Sequence, residues 1–135
     1  MDRSVFLDTS YILTLVFKDD YFNNKANAIS KLISSEKINI VTTELVIIEI
    51  GDSLAKTKIR HKSIPAINNL RSFSQISNID IETLREAWEL YEKRIDKEWG
   101  ITDCYSFIVM KRLDIRQALS TDKHFEQAGF EVLLK

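Results

Sequence analysis

Four carboxylates in this chain fall where reactive groups of an α/β protein collect. Asp8 ends the short apolar run Ser4-Val5-Phe6-Leu7, and Asp122 stands two residues beyond Ser120, at the end of another. Asp103 follows Thr102 at an expected helix start, and Glu49 lies among Ile47, Ile48 and Ile50. In open α/β sheets, ligands gather at the carboxyl ends of the strands. Carboxylates brought together there repel one another and are costly to desolvate, so they need a counter-charge. A hard divalent cation, Mg²⁺ or Mn²⁺, meets that need through oxygen ligands. Such an ion lowers the pKa of a water that attacks phosphorus, and it neutralises charge developing on the phosphate oxygens. The hydroxyls of Thr9, Ser10 and Ser120 are placed to orient the carboxylates or their waters.

Each acid also has a local reading. Asp8 can cap a helix, Asp103 can answer a helix dipole, and Asp122 can serve a turn. Glu49 is harder to explain locally, because an acid amid large aliphatics usually has a partner.

These residues need elements to hold them. Ser4–Leu7 reads as a buried strand, followed by a short helix over Tyr11 to Phe17. Phe22, Ala26, Ile29 and Ile33 recur at helical spacing, giving a second helix from Phe22 to about Ser35. Ile38 to Thr42 is a strand. Glu44 to about Ile59 is expected to be a helix capped by Thr43, and Ser63 to Phe73 another, starting near Pro65. Gln75 to Ile79 is a short strand. Asp80 caps the clearest helix, in which Leu84, Ala87, Trp88, Tyr91 and Ile95 keep the period and Gly100 lies near the C-terminus. Thr102 is expected to cap a buried helix through Arg112. Gln117 to Ser120, Asp122 to Gln127 and Phe130 to Leu133 then read as strand, helical turn and strand. The alternation predicts a three-layer α/β/α sandwich with a mainly parallel central sheet.

Composition narrows the class. The 135 residues carry 44% hydrophobic and 29% charged side chains with net charge −1, as expected of one globular domain spanning 1–135. A near-neutral chain binds a polyanion only through a local patch. The single cysteine, Cys104, excludes an internal disulfide, and no apolar run reaches the roughly 18 residues of a membrane span. A cytoplasmic location is the default expectation. Three glycines and one proline leave no Gly-rich phosphate loop.

Taken in order, the segments VFLDTSYIL, VTTELVIIEI, ITDCYSF and ALSTDKHFEQAGFEVLL resemble the motifs of the PIN-domain family, most of all its toxin-type (VapC-like) members. The resemblance runs from about Ser4 to the C-terminus. It implies that Asp8, Glu49, Asp103 and Asp122 are the catalytic, metal-holding acids, with Thr9, Ser10 and Ser120 behind them. It also implies Mg²⁺ or Mn²⁺ dependence, hydrolysis of RNA phosphodiester bonds, a homodimer and an antitoxin partner. The chain departs from relatives that carry a histidine in the stretch matching KDDYFNNKA, where Asn23 and Asn24 stand. Glu44 is a second candidate for the helix acid, but its place in a first turn favours dipole service.

Other residues have two readings. Lys56, Lys58, Arg60, His61 and Lys62 form the one dense basic run, either an RNA-backbone track or a solvated helix end. Trp88 and Tyr91 read as core, and Trp99 as an exposed ring able to stack on a base. His124 reads either as a substrate contact beside Asp122 or, more often in such a place, as a surface residue of the turn with Phe125 the buried anchor. Cys104, beside Asp103, is expected in the core. Two functions compete with the nuclease: a catalytically silent PIN-like binding module, and a phospho-acceptor signalling domain. The second would need Asp80 as its acceptor and an adjacent acid pair where Asp8-Thr9-Ser10 stand.

Overall fold

A computed structural model describes residues 1–135. Its centre is the strand β1 (Ser4–Leu7), where Val5, Phe6 and Leu7 are wholly buried. A strand covered on both faces reads as a continuous apolar run rather than an alternating one, and this one does. Strand β1 pairs in parallel with β2 (Asn39–Thr43) on one side and β4 (Gln117–Leu119) on the other. Strand β3 (Ser74–Ser77) and strand β5 (Glu131–Val132) complete a five-stranded, wholly parallel sheet of order β3-β2-β1-β4-β5. Gly129, at φ 96°, makes the left-handed turn into β5 that a side chain would strain.

Helices cover both faces: α1 (Thr9–Val16), α2 (Asn23–Glu36), α3 (Glu44–Ser53), α4 (Arg60–Phe73), α5 (Ile81–Lys93), α6 (Ile101–Arg112) and α7 (Lys123–Gln127). One apolar core runs through the layers, with Tyr105, Phe6, Phe107 and Phe125 its largest fully buried side chains. The expected α/β/α class is therefore present, with the sheet parallel throughout. The strand order reverses direction at β1, so the crevice between the ends of β1 and β4 is the topological switch point at which such sheets bind ligands.

Several boundaries differ from the sequence expectation for local reasons. Helix α3 ends at Ser53 rather than near Ile59, because Gly51, Asp52 and Ser53 are poor helix residues and Leu54 turns inward, fully buried. Helix α4 consequently begins at Arg60. The basic run thus spans a turn and the first turn of α4, and is not the C-terminus of a helix. Gly100 is the N-cap of α6 rather than the end of α5, and Thr102 lies inside α6 instead of capping it. Trp88 and Tyr91, expected in the core, are 47% and 45% exposed, whereas Trp99 is buried with its indole N–H on Gln127 Oε1 (3.0 Å). Arg94 covers that ring's face at 5.0 Å, so Trp99 is not available to stack on a base.

Candidate functional site

The four acids lie at one end of the sheet, each delivered by a different element. Asp8 follows β1 as the N-cap of α1, and its backbone N–H bonds Leu119 O (3.2 Å), fixing the ends of β1 and β4 side by side. Its carboxylate is almost buried. Ser10 Oγ and Ser120 Oγ each donate to Asp8 Oδ2 at 2.8 Å. Ser10 Oγ in turn accepts Thr121 N–H (3.0 Å), and Ser120 Oγ accepts Asp122 N–H (2.9 Å). Two hydroxyls thereby tie the loop after β4 to the acid after β1.

Thr9 Oγ1 donates to Glu49 Oε1 at 2.5 Å, linking the first turn of α1 to α3. Asp103 is in the first turn of α6, where its Oδ2 accepts Gly100 N–H (3.2 Å) and meets His124 Nδ1 (2.9 Å). Asp122 caps α7 by accepting His124 N–H at Oδ1 (2.9 Å), and its Oδ2 is 3.4 Å from His124 Nδ1. Asp103, Asp122 and His124 present ligand atoms all within 4.8 Å of one another. Asp8 and Glu49 are coupled to this group by charge: both feel Asp103, and Glu49 also feels Asp122.

The local roles weighed from sequence are real but use only half of each carboxylate. Asp8 Oδ2, Glu49 Oε1, Asp103 Oδ2 and Asp122 Oδ1 carry the hydrogen bonds above. Asp8 Oδ1, Glu49 Oε2 and Asp103 Oδ1 receive no protein donor, and Asp122 Oδ2 has only the longer approach of His124. None of these oxygens is sealed away, since the one buried side-chain polar atom without a partner is Ser74 Oγ. Asp8, Glu49 and Asp103 are each held through one oxygen and keep the other without a protein donor, while Asp122 Oδ2 has His124 beside it.

Electrostatics says the cleft lacks positive charge. Burial pushes the Asp8 carboxyl up to about 6, against the pull of the two serine hydroxyls, with Asp103 and Glu49 adding repulsion. Desolvation also raises Glu49, despite Thr9, and neighbouring Asp103 and Asp122 push the same way. Asp103 is raised by desolvation as well, opposed by His124 and Gly100. No lysine or arginine forms an ion pair with any of the four; His124 is their one basic neighbour. Three donor-free carboxylate oxygens, with Asp122 Oδ2 beside them, are an oxygen set that suits a hard divalent cation.

His124 meets Asp103, a contact that the sequence does not announce. It sits two positions after the Asp122 cap, which places it back over the α7 N-terminus, yet its contact with Asp103 depends on the packing of α6 against α7. Phe125 is fully buried, as expected. Cys104 is buried and its thiol is pushed up to about 11 by desolvation, far from the range of a nucleophile. Glu44 is held by both guanidinium nitrogens of Arg71 at 2.6 and 3.1 Å, which settles it as a surface partner. Asp80 accepts Thr83 N–H (3.0 Å) and Oγ1–H (2.7 Å) as a helix cap, so it is no phospho-acceptor. Asn23 donates to Thr14 O at 2.8 Å, a structural role for that asparagine.

Comparison with known proteins bears on the family and the fold. The chain is 25% identical over 128 residues to the 23S rRNA-specific endonuclease VapC20 of Mycobacterium tuberculosis, from strains CDC 1551 / Oshkosh and ATCC 25618 / H37Rv alike, covering 93% of this chain and 95% of the relative. The crystal structure of M. tuberculosis VapC20, described as a sarcin-ricin loop cleaving toxin, superposes with a TM-score of 0.81 at 24% identity, over 93% of this chain and 95% of that one. PAE2754 from Pyrobaculum aerophilum shares the fold at a TM-score of 0.65 and 13% identity, over 97% and 90% of the two chains. The family model for the PIN domain matches residues 5–131. The chain belongs to the PIN domain family.

Proposed function

We propose that this chain is a metal-dependent endoribonuclease, a single PIN-like nuclease domain over 1–135 acting as the toxin of a toxin–antitoxin pair. The observation that carries the reading is the set of four carboxylates at the switch point, three with an oxygen that has no protein donor and none paired with lysine or arginine. Asp8, Glu49, Asp103 and Asp122 would hold Mg²⁺ or Mn²⁺. The ion, when bound, supplies the counter-charge and acidifies the attacking water.

The chain's own residues do the positioning. Ser10 and Ser120 clamp Asp8 Oδ2, so that Oδ1 keeps a fixed direction in an otherwise repulsive site. Thr9 does the same for Glu49, and His124 for Asp103. Orienting partners of this kind typically change metal affinity or activity by about 10–100-fold.

RNA needs cations to follow its backbone. Lys56, Lys58, Arg60 and Lys62 are exposed and free of ion pairs, and the first turn of α4 is a place where cations oppose the helix dipole. Basic side chains kept there at a cost fit phosphate contact better than solvation. Lys62 rests over Phe17 at 6.0 Å, at the far end of α1 from Asp8. Helix α1, about 12 Å long at 1.5 Å per residue, lies between that contact and Asp8.

An antitoxin would find an apolar surface away from the acids. An apolar groove of about 580 Å³ between α1, α2 and α4, lined by Leu15, Val16, Ile33, Ile38, Leu70 and Phe73, suits the apolar face of an amphipathic segment. No helix is long and apolar enough to cross a membrane, in keeping with the proposed cytoplasmic site of action.

The test is cleavage by purified protein. Ribosomal RNA and a sarcin-ricin loop hairpin, the target class of the VapC20 relative, are incubated with Mn²⁺, Mg²⁺ or EDTA. Cleavage that needs the metal and disappears in Asp8→Asn is expected. Equal cleavage by wild type and Asp8→Asn would refute the assignment.

A further inference from the structure

His124 lies within the cleft rather than over it, its side chain 18% exposed beside an Asp103 side chain at 14%. Three constraints hold the ring in place. Its backbone N–H bonds Asp122 Oδ1 (2.9 Å), the next residue, Phe125, is fully buried, and α6 packs on α7. The imidazole Nδ1 therefore lies 2.9 Å from Asp103 Oδ2 and 3.4 Å from Asp122 Oδ2. A carboxylate only accepts, so Nδ1 carries the proton of the bond to Asp103.

Orienting Asp103 does not by itself require an imidazole, because Gly100 N–H already bonds the same oxygen at 3.2 Å. Nor does a need for positive charge. Lysine or arginine would supply that charge more firmly, but neither, once protonated, has a lone pair to give. Imidazole differs in its second nitrogen. Nε2 makes no bond to the protein, so the ring proton can pass to it through solvent and leave the Nδ1 lone pair free. The ring's net charge does not change in that exchange. A lone pair and two carboxylates aimed at one place repel one another unless a cation lies among them.

The spacing suits such a cation. Ligand atoms of Asp103, Asp122 and His124 all lie within 4.8 Å of one another. Bonds of about 2.1 Å to a small divalent ion spread its donors over about 4 Å. The chemistry of the trio then bears on which ion. Mg²⁺ is bound through oxygen and gives up water reluctantly. Imidazole favours the first-row transition metals, whose affinities rise from Mn²⁺ to Cu²⁺.

We propose that His124 is a direct metal ligand, joining Asp103 and Asp122 through a ring nitrogen, and that it tilts the centre towards a divalent transition-metal ion over Mg²⁺. This rests on the metal-dependent reading of the four acids and adds to it a nitrogen that a set of carboxylates lacks.

Mn²⁺ is the probe, bound to the full chain. Electron spin-echo envelope modulation of the bound ion should show a ¹⁴N coupling in wild type that is absent in His124→Gln, whose amide can still donate to Asp103. The only other histidine is His61, so His61→Gln should keep the coupling. Affinities separate ligation from mere positioning, with Mn²⁺ titrated by its free-ion signal and Mg²⁺ by competition against it. His124→Gln should weaken Mn²⁺ binding at least about tenfold and Mg²⁺ binding only about twofold. Bound Mn²⁺ without nitrogen coupling, a coupling that survives in His124→Gln, or an equal effect on both ions overturns the inference and leaves the nuclease reading standing. Absence of Mn²⁺ binding by wild type overturns both.

Discussion

Acids on the outer surface and acids in the cleft of this protein are treated in opposite ways. Glu44 is gripped by Arg71, Asp96 by Arg94 and Asp80 by the Thr83 hydroxyl, and each carboxyl is held below its ordinary range by that partner. Asp8, Glu49 and Asp103 are pushed above theirs, with desolvation the largest cause in every case. Arginine is abundant enough to serve the cleft, yet it is spent on the surface. A fold that pairs Glu44 and Asp96 with arginine and leaves its clustered acids short of positive charge is one whose cleft calls for a counter-charge. Buried charge without a partner is strongly destabilising, so the deficit persists only where binding offsets it.

The largest effect that breaks this contrast is on activity. Asp103→Asn removes an uncommitted oxygen and should lower metal-dependent RNA cleavage by more than about a hundredfold, beyond the range of residues that merely orient ligands. A rate within a few-fold of wild type would detach Asp103 from the site.

Next comes stability in the absence of metal. The folded Asp8 carboxyl titrates near 6 and the unfolded one near 3.8. As pH rises between those values the unfolded chain gives up its proton first, so this group's contribution is fully favourable below 3.8 and is lost as pH approaches and passes 6. The loss comes to roughly 3 kcal/mol at 1.36 kcal/mol per unit of pKa. Urea unfolding in EDTA should therefore show Asp8→Asn gaining on wild type between pH 4 and pH 7, where a constant difference would mean that Asp8 is not desolvated as described.

Smaller still, Ser120→Ala should lower Mn²⁺ affinity by about tenfold while leaving the fold intact, because it removes one of two hydroxyls on Asp8 Oδ2. The smallest effect sharpens the other side of the comparison. Arg71→Ala breaks the bidentate pair with Glu44, but on the surface this should cost within about 1 kcal/mol and leave cleavage unchanged.

The sequence carried the parts of this account that depend on short-range pattern. Val5-Phe6-Leu7 is apolar without alternation because β1 is covered on both faces, and an acid straight after such a strand marks a sheet's ligand end. The order of the four acids did the rest through family resemblance. What stayed hidden depends on who packs on whom. Periodicity showed that α5 is amphipathic but not that only part of its apolar arc is covered, so Trp88 and Tyr91 were read as core. The helical period of Ile47, Ile50 and Leu54 outran the local stop at Gly51-Asp52-Ser53, which moved the basic run from the end of one helix to the start of the next. His124 gains its role from Asp103, 21 residues away in the chain, and no local pattern announces that contact.

Mn²⁺ binding to the wild type and to Asp103→Asn, followed by the loss of the free-ion electron paramagnetic resonance signal, tests the central claim most directly. Saturable binding by wild type that is lost or strongly weakened in Asp103→Asn is the result expected of a cleft built for a divalent cation. No binding by wild type, or equal binding by both proteins, would contradict it.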